Sequence, residues 1–387
     1  MKSLFLLRDD ITYLNFGSFG ACPKEIFDDY IQWQTLLERE PVQFIAKDGV
    51  EYVRNALSSL ANFIHCDAGD LVFVPNPTFA GNIIARNIRL EKGDEILTTD
   101  LEYGAMDRTW KYYSQQIGVK YVQQKIDLPL VSKEVFLENF WKGHSRKTKM
   151  VFISQITSST GLILPVHEIC EEAKKRGLIT FVDGAHVPAH IDLNLSTLQA
   201  DFYTGACHKW MMTPKGSSFL FVRKEFQSQL DPLIISWGYE SAAPSGSQFF
   251  DYHQFNGTRD FSAYLTIPKS IEFMEKHNWR TVSQACKQNV LNAAPSFCEA
   301  LDSQPLAPLT PEFFGQLCSA EVKTSRPEEL QKLLFEEYKI EMPVMRHQDK
   351  NFMRFSFQAF NTMAELDYLN DCIQKIKRET SLLRVEG

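Results

Sequence analysis

The stretch ADFYTGACHKWMMTPKGSSFLFV, residues 200–222, decides how this chain folds. Two apolar runs typical of buried strands, residues 202–204 and 218–222, stand on either side of a short polar break. The break carries Lys209, which follows a histidine and precedes a tryptophan. Desolvation just beyond a strand would lower the pKa of this amine and favour imine formation. A solvated surface lysine is the ordinary alternative.

A second apolar run, residues 178–182, ends at Asp183, upstream of Lys209. An acid at the end of one buried strand and a lysine beyond the next suit a site for pyridoxal 5'-phosphate (PLP). The lysine amine forms a Schiff base with the cofactor aldehyde, and the carboxylate pairs with the pyridinium nitrogen, which keeps the ring an electron sink. In isolation, Asp183 could equally be a turn residue or a helix cap.

Composition narrows the class of protein. The 387 residues can bury a large core and form two domains. A net charge of −7 with no basic block argues against nucleic acid as a partner. No apolar run approaches the ~20 residues that a membrane span needs. Eight scattered cysteines, with no C-x-x-C and no metal-type cluster, predict a cytoplasmic protein without a metal site.

Apolar runs alternate with helical patterns between residues 50 and 225, which predicts a mainly parallel α/β sheet. Ligands bind such sheets at the carboxyl ends of the strands. Asp183, Ser158 and the pair Pro77 and Thr78 each follow a predicted strand, so we expect them to converge. Strands are predicted at residues 70–75, 95–99, 119–126, 149–154, 178–182, 202–204 and 218–222, and helices at 51–64, 78–89 and 166–176.

The composition changes at residues 231–247, where prolines, glycines and serines break the periodicity. We therefore predict three parts. Residues 1–20 form an N-terminal segment that borders the active site, and residues 21–260 form a large α/β domain that binds PLP. Residues 261–387 form a smaller α+β domain that opens with a long helix near Ser262.

The run VPNPTFAGN, residues 74–82, ends a strand and begins a helix. Backbone N–H groups at a helix start, together with the Thr78 hydroxyl, make a site for a phosphate. The alternative is that Thr78 is simply the helix N-cap. The sequence contains no G-x-G-x-x-G motif and no Walker lysine, so dinucleotide and P-loop sites lose support.

Three further residues have two readings each. His186 is either a structural histidine or a hydrogen-bond partner of the cofactor or substrate. Tyr103 can stack on a cofactor ring, or can be an ordinary core or surface tyrosine. Arg354 is a charge inside an apolar strand and needs an anion, either a substrate carboxylate held in a bidentate manner or a protein acid.

Three motifs together carry a resemblance to a known family: DGAH at residues 183–186, HKW at 208–210 followed by PKG at 214–216, and NGTRD at 256–260. With them the chain resembles the class V aminotransferase family of fold-type I PLP-dependent enzymes, and most closely its isopenicillin-N epimerase-like branch. The resemblance runs from residue 13 to residue 361. It implies a large domain with a mainly parallel mixed sheet and a smaller α+β C-terminal domain.

The resemblance implies a role for each matching residue. Lys209 would form the Schiff base, and Asp183 would pair with the pyridinium nitrogen. Gly257 and Thr258 would reach the phosphate of the neighbouring subunit, which implies a homodimer with shared active sites. The other implied positions are Tyr103 over the ring, Thr78 and His208 at the phosphate with Pro77 in the same loop, Ser158 near the ring hydroxyl, His186 at the cofactor, Arg354 on the substrate α-carboxylate, and Asn15 and Ser18 beside the substrate.

Two residues depart from the family pattern. Pro77 stands where relatives often carry alanine in the phosphate loop, and proline has no N–H to donate. Ala206 stands where desulfurase relatives use a phosphate-binding serine. Both departures bear on phosphate affinity, and neither removes Lys209 or Asp183.

Two classes of function remain open within this reading. An epimerase or aminotransferase acting at the α-carbon of an amino acid uses Lys209 as base. A two-base epimerase also needs an acid on the opposite face, for which Tyr103 and His186 are the candidates. A cysteine desulfurase needs a reactive cysteine on a mobile loop, yet Cys318 falls in a predicted strand. A C–S lyase needs no such cysteine. A scaffold without catalysis is disfavoured by the intact site.

Overall fold

The structure, a computed structural model, describes residues 1–383. Its strands are β1 (Thr12–Tyr13), β2 (Leu71–Val74), β3 (Glu95–Thr99), β4 (Lys120–Gln124), β5 (Thr148–Ser154), β6 (Ile179–Asp183), β7 (Phe202–Ala206), β8 (Ser218–Val222), β9 (Leu317–Glu321), β10 (Ile340–Glu341), β11 (Val344–His347) and β12 (Lys350–Ser356). Its α-helices are α1 (Phe16–Phe19), α2 (Lys24–Arg39), α3 (Pro41–Gln43), α4 (Gly49–Ile64), α5 (Pro77–Asn87), α6 (Gly104–Ile117), α7 (Lys133–Trp141), α8 (Val166–Lys175), α9 (Lys224–Gln227), α10 (Gln248–Gln254), α11 (Ser262–Leu265), α12 (Ile267–Lys276), α13 (Trp279–Ala300), α14 (Pro327–Glu336) and α15 (Met363–Glu379).

Within residues 1–383, seven strands form the central sheet in the order β2-β8-β7-β6-β5-β3-β4. Strand β8 runs antiparallel to both of its neighbours, and the pairs from β7 to β4 are parallel. Strands β2, β3, β7 and β8 are buried along their whole length, because helices cover both faces of the sheet. The predicted mixed, mainly parallel α/β architecture is confirmed.

The carboxyl ends of the parallel strands lie at one edge of this sheet. In the register of the sheet, Ser154 at the end of β5 lies opposite Asp183 at the end of β6, and Asp183 lies opposite Thr204 of β7. The segments that carry Tyr103 and Lys209 leave β3 and β7 at the same edge. The topology therefore gathers the polar residues that follow separate strands.

The C-terminal part contains a three-stranded antiparallel sheet, β11-β12-β9, and the long helices α13 and α15 pack against each other there. Strand β1 pairs with β10 in parallel, and α1 contacts β12. The N-terminal residues are thereby attached to the C-terminal part of the chain. The domain boundaries at residues 20 and 260 stay a prediction.

The predicted long helix near Ser262 is wrong in detail, because the segment forms three helices, α11, α12 and α13. Pro268 lies in the first turn of α12, where its missing N–H costs no helical hydrogen bond. Asn278 adopts a left-handed conformation, with φ of 49°, between α12 and α13. A residue in that conformation interrupts a right-handed helix.

The structure also bears on the environment of the chain. None of the helices formed by residues 1–383 combines the length and apolar character needed to cross a bilayer. All eight cysteines are free thiols. No group of three or more metal-ligating side chains comes together in the part of the chain that the structure describes.

Candidate active site

Lys209 lies in the turn that follows β7, and its amine contacts the histidine predicted to stand at the cofactor. The Nζ atom of Lys209 is 3.1 Å from Nε2 of His186. His186 is buried, and it follows β6 by three residues. The structure therefore joins the residues after two adjacent parallel strands, as the sequence predicts.

The hydrogen bonds around His186 assign its proton. The indole N–H of Trp210 can only donate, and it is 3.4 Å from Nδ1 of His186. Burial holds the pKa of His186 well below its usual value, so the ring is neutral. Its single proton then resides on Nε2 and is donated to Lys209, which must accept it as a neutral amine.

The environment of Lys209 favours the neutral form of its amine more than in an ordinary lysine. Burial and the nearby Arg354 guanidinium lower the pKa of Lys209, the Asp183 carboxylate opposes them, and the result is a pKa of about 7. Burial raises the pKa of Asp183, which is partly offset by the backbone N–H of Ala185 at 2.9 Å from Oδ1. A lysine near neutrality is poised for nucleophilic attack and for proton transfer.

Arg354, in β12, is the fourth member of what we call the inner cluster, Lys209, Asp183, His186 and Arg354. Only 1% of its surface is exposed. Its guanidinium donates to the carbonyl oxygen of Ser158 and, at 3.0 Å, to the Ser18 hydroxyl. Its Nε has no partner among residues 1–383.

No carboxylate within residues 1–383 pairs with Arg354, so the alternative of a protein acid is wrong. The guanidinium is bound by neutral oxygens alone, and burial lowers its pKa to about 10. A buried cation without a counter-ion is costly, and an anionic ligand would offset that cost. Asn15 supports the arrangement, because its side-chain oxygen accepts from the Ser18 hydroxyl at 2.5 Å.

The start of α5 differs from the capping alternative considered for Thr78. Asn76 is the N-cap, since its side chain accepts from the N–H of Phe79 at 2.9 Å. Pro77 occupies the first turn, and the Thr78 hydroxyl makes no hydrogen bond with any residue from 1 to 383. That hydroxyl and the helix start remain available to an anion.

His208 is half-buried beside Lys209. Its Nδ1 lies 2.8 Å from the carbonyl oxygen of Ser217, so Nδ1 carries the proton and Nε2 is the acceptor. Burial lowers its pKa to about 4. The buried Ser217 hydroxyl next to it has no partner within residues 1–383.

Comparison with known proteins identifies the family. Residues 24–369 match the sequence profile of Aminotransferase class-V. The chain belongs to the class-V aminotransferase family. This membership makes it a PLP-dependent enzyme, as the motifs predict.

The chain is similar to known proteins along most of its length. The chain is 31% identical to an isopenicillin N epimerase of Streptomyces clavuligerus, over 98% of both chains. It is 25% identical to a putative L-cysteine desulfhydrase of Oryza sativa, over 95% of this chain and 83% of that protein. The apo cysteine desulfurase of Thermococcus onnurineus superposes with a TM-score of 0.83 at 19% identity, covering 97% of each chain. The last likeness confirms the fold-type I architecture alone.

The residues present fit the PLP of a class-V enzyme. Lys209 has a pKa near neutrality, a buried carboxylate interacts with it, and no carboxylate among residues 1–383 pairs with the cation Arg354. The unengaged hydroxyls of Thr78 and Ser217 suit a phosphate. These residues would hold the cofactor through its aldehyde, ring nitrogen and phosphate.

Three residues assigned by the resemblance are not joined to the inner cluster. Tyr103 is the N-cap residue of α6, and 47% of its surface is exposed. Gly257 and Thr258 are exposed in the loop after α10, where Gly257 has φ of 109°, a conformation that favours glycine. Their roles as ring-stacking and phosphate-binding residues stay predictions.

The sequence did not predict the burial of Glu102, which precedes Tyr103. Its carboxylate accepts hydrogen bonds from the Thr99 hydroxyl at 2.6 Å and from the N–H and hydroxyl of Ser154 at 2.9 and 2.5 Å. Burial raises its pKa to about 8 despite these donors, and the Asp183 charge contributes. Glu102 thereby fixes the ends of β3 and β5 next to Asp183. Its place after a strand was the only sequence feature that pointed to it.

Proposed function

We propose that this PLP-dependent enzyme acts at the α-carbon of an amino acid or a similar small molecule, as an isopenicillin-N epimerase-like epimerase or as an aminotransferase. The observation that carries the proposal is the contact of the Lys209 amine with His186, in an environment where burial, Arg354 and Asp183 together bring the pKa of that amine to about 7. The named epimerase relatives at 28–31% identity support the choice of reaction.

Each residue of the proposed site has its own role in the reaction. When bound, PLP supplies an aldehyde that links to an amine and a ring that accepts electron density from the α-carbon. Lys209 Nζ would hold the cofactor through its aldehyde and, once freed there by the substrate amine, would take the α-proton as base. Asp183 would pair with the ring nitrogen, and Arg354 would hold the substrate carboxylate with Ser18 and Asn15 beside it.

An epimerase must also return a proton to the opposite face of the α-carbon. His186 donates to Lys209 and therefore stands on the side of that amine, which argues against it as the second acid. Tyr103 remains the candidate for that role, and its exposed position leaves its hydroxyl free to meet a substrate. In an aminotransferase Lys209 alone moves the proton.

A C–S lyase is the alternative, and the named L-cysteine desulfhydrase relatives favour it. One form of this alternative is a cysteine desulfurase, and the position of Cys318 argues against it. Its thiol is buried in β9, as the sequence predicts, and not on a mobile loop. The interaction with the Cys298 thiol, and after it burial, raise the pKa of Cys318 well above its usual value, so its thiolate is scarce.

We further propose a cytoplasmic homodimer with shared active sites. Trp237 is 90% exposed and Ile235 is 63% exposed, which is unusual for such large apolar side chains. The N–H of Gly238 donates to the carbonyl of Phe255 at 3.3 Å, so this apolar segment adjoins the loop that carries Thr258. A second copy would cover the segment, and the eight free thiols suit a reducing compartment.

Incubation with a panel of L- and D-amino acids in heavy water tests the proposed reaction. An epimerase exchanges the α-proton and yields the mirror isomer, an aminotransferase yields a keto acid, and a C–S lyase yields sulfide. Lys209→Ala should abolish exchange for every substrate, whereas the surface variant Lys224→Ala should retain it. Exchange that survives in Lys209→Ala would contradict the assignment of the base.

A further inference from the structure

A cavity of about 710 Å³ lies between the segment that follows β6 and helices α12 and α13. It is separate from the opening in which Lys209, Arg354 and Thr78 would meet a cofactor and substrate, because none of these three lines it. Its volume falls within the range of roughly 300–1,000 Å³ that is typical of small-molecule sites.

The lining of this cavity combines apolar surface with charged side chains of both signs. Phe63, Leu193 and Met274 contribute apolar side chains. The charged residues that line it are Asp192, Glu275, Arg280 and Lys287. Lys287 alone among these four is half-buried, whereas the other three are exposed. A half-buried cation beside apolar side chains suits a molecule with an apolar body and an acidic group.

Lys287 is the polar group that most needs a ligand. It is half-buried and makes no hydrogen bond or ion pair with any residue from 1 to 383. Burial lowers the pKa of its amine, and the nearby exposed Asp192 opposes this only in part. Asp192 itself is 3.8 Å from Arg280, at the limit of an ion pair. A ligand carboxylate would give Lys287 the partner that the protein does not supply.

One wall of the cavity leads directly to the catalytic lysine. His190 lines the cavity, and its Nδ1 donates to the carbonyl of His186 at 2.8 Å. Its Nε2 accepts from the N–H of Gln316 at 2.6 Å, so both ring nitrogens are engaged and the ring serves as a wall. The ring also stacks on Trp210 with 3.9 Å between centroids. Displacement of His190 would therefore move the histidine that donates to Lys209.

A second wall leads to the carboxylate. Gln155 lines the cavity, and its backbone N–H donates to the carbonyl of Asp183 at 2.9 Å. Its side chain accepts from the Tyr203 hydroxyl at 2.8 Å. The Tyr203 ring packs so closely on Gly184 that a Cβ there would lie 1.9 Å from the hydroxyl oxygen. Gln155, which lines the cavity, is thus linked to the Asp183 carbonyl directly and to Gly184 through Tyr203.

We infer that this cavity binds a small carboxylate with an apolar body, anchored by Lys287, and that its occupancy alters the active site through His190 and Gln155. The binding does not depend on the proposed reaction. We interpret the cavity as a regulatory site, because Lys209 does not line it and its ligand would not contact Lys209.

Calorimetric titration of the PLP-loaded protein with 3-phenylpropionate tests the binding, and 3-phenylpropan-1-ol serves as the uncharged control ligand. The acid should bind, and the alcohol should bind at least about tenfold more weakly. Lys287→Met, which keeps the apolar stem, should weaken the acid by a similar factor. Lys332→Met on the surface of α14 should leave its affinity unchanged. Occupancy should also shift the absorbance of the bound cofactor.

The Arg354→Met variant separates this site from the substrate site. The inference predicts that the acid still binds to Arg354→Met but loses affinity in Lys287→Met. The reverse pattern would place the acid on Arg354 and overturn the inference, and so would equal affinity for acid and alcohol or no detectable binding. Binding that leaves the cofactor absorbance unchanged would overturn the link through His190 and Gln155. Because calorimetry needs no turnover, inactivity towards amino acids would refute the proposed function and leave this result standing.

Discussion

The inner cluster and the exposed residues assigned to the same site differ in how many of their contacts come from this chain. Lys209, His186 and Arg354 are held by hydrogen bonds within the chain, and the charge of Arg354 lowers the pKa of Lys209. Tyr103 and Thr258 are exposed and make no hydrogen bond with that cluster. This difference is the one we expect if a second copy of the chain completes the outer wall of the site, as in the proposed homodimer.

The largest effect is expected in the inner cluster. Asp183→Ala should keep the cofactor attached to Lys209 but reduce turnover at least a thousandfold, about 4 kcal/mol or more, because the ring nitrogen loses its counter-charge. Steady-state kinetics and the absorbance of bound cofactor measure the two effects separately. Asp127→Ala, on the surface, should behave as the wild type. Unchanged turnover in Asp183→Ala would show that the carboxylate has another role.

Arg354 comes next, because it should act on binding. Arg354→Ala should weaken the binding free energy of amino acids by about 2–3 kcal/mol, because a charge-assisted bond to the carboxylate is lost. The loss should be measured as a higher KM. Arg354→Lys should recover part of this loss, since it keeps the charge but not the planar fork. A substrate amide that lacks the carboxylate is the matched control and should be insensitive to both variants. Equal KM values for the acid in all three proteins would count against the role.

A variant of Glu102 tests whether this buried side chain, which lies next to Asp183, is uncharged in the folded protein. Its pKa of about 8 in the folded chain exceeds the ~4.3 of an unfolded glutamate, so its proton stabilises the fold at low pH and that contribution is lost as the pH rises towards 8. Between pH 5 and 7 the wild type should lose about 2–3 kcal/mol relative to Glu102→Gln. The glutamine keeps an acceptor for Ser154 and can donate to the Thr99 hydroxyl.

Urea denaturation of both proteins at several pH values measures this difference. The surface variant Glu138→Gln should track the wild type at every pH. A difference between wild type and Glu102→Gln that stays constant from pH 5 to 7 would mean that Glu102 is ionised in the folded protein throughout that range.

The smallest effect concerns the outer surface. Trp237→Ser should weaken self-association by about 1–2 kcal/mol and leave the inner cluster intact, because a large apolar side chain loses its cover. Val131→Ser, another exposed apolar position, should have no such effect. Sedimentation over a range of concentrations gives the dimer constant. A monomeric wild type would remove the basis for shared active sites.

The sequence predicted most of the fold and the neighbouring strand ends on which the proposed site rests, because both follow from local patterns. Apolar runs that end in polar residues located Asp183 and Lys209 at the carboxyl ends of adjacent strands. The wrong detail at Ser262 arose from a local feature, the left-handed Asn278, which hydrophobic periodicity does not reveal.

Long-range contacts could not be predicted from one sequence. Arg354 bonds to residues 196 and 336 positions away, and His190 meets Gln316 at a separation of 126. Nothing in the local pattern shows that Arg354 lacks an acidic partner or that Glu102 is buried. Tertiary packing decides both, and with them the charge balance of the site.

Reduction of the PLP-loaded protein with sodium borohydride, followed by digestion and mass spectrometry, tests the central claim most directly. We expect one phosphopyridoxyl group on the peptide that contains Lys209, and none in Lys209→Ala, whereas Lys224→Ala should be labelled as the wild type. A label on another lysine, or an unlabelled protein that binds PLP without a covalent link, would contradict the account.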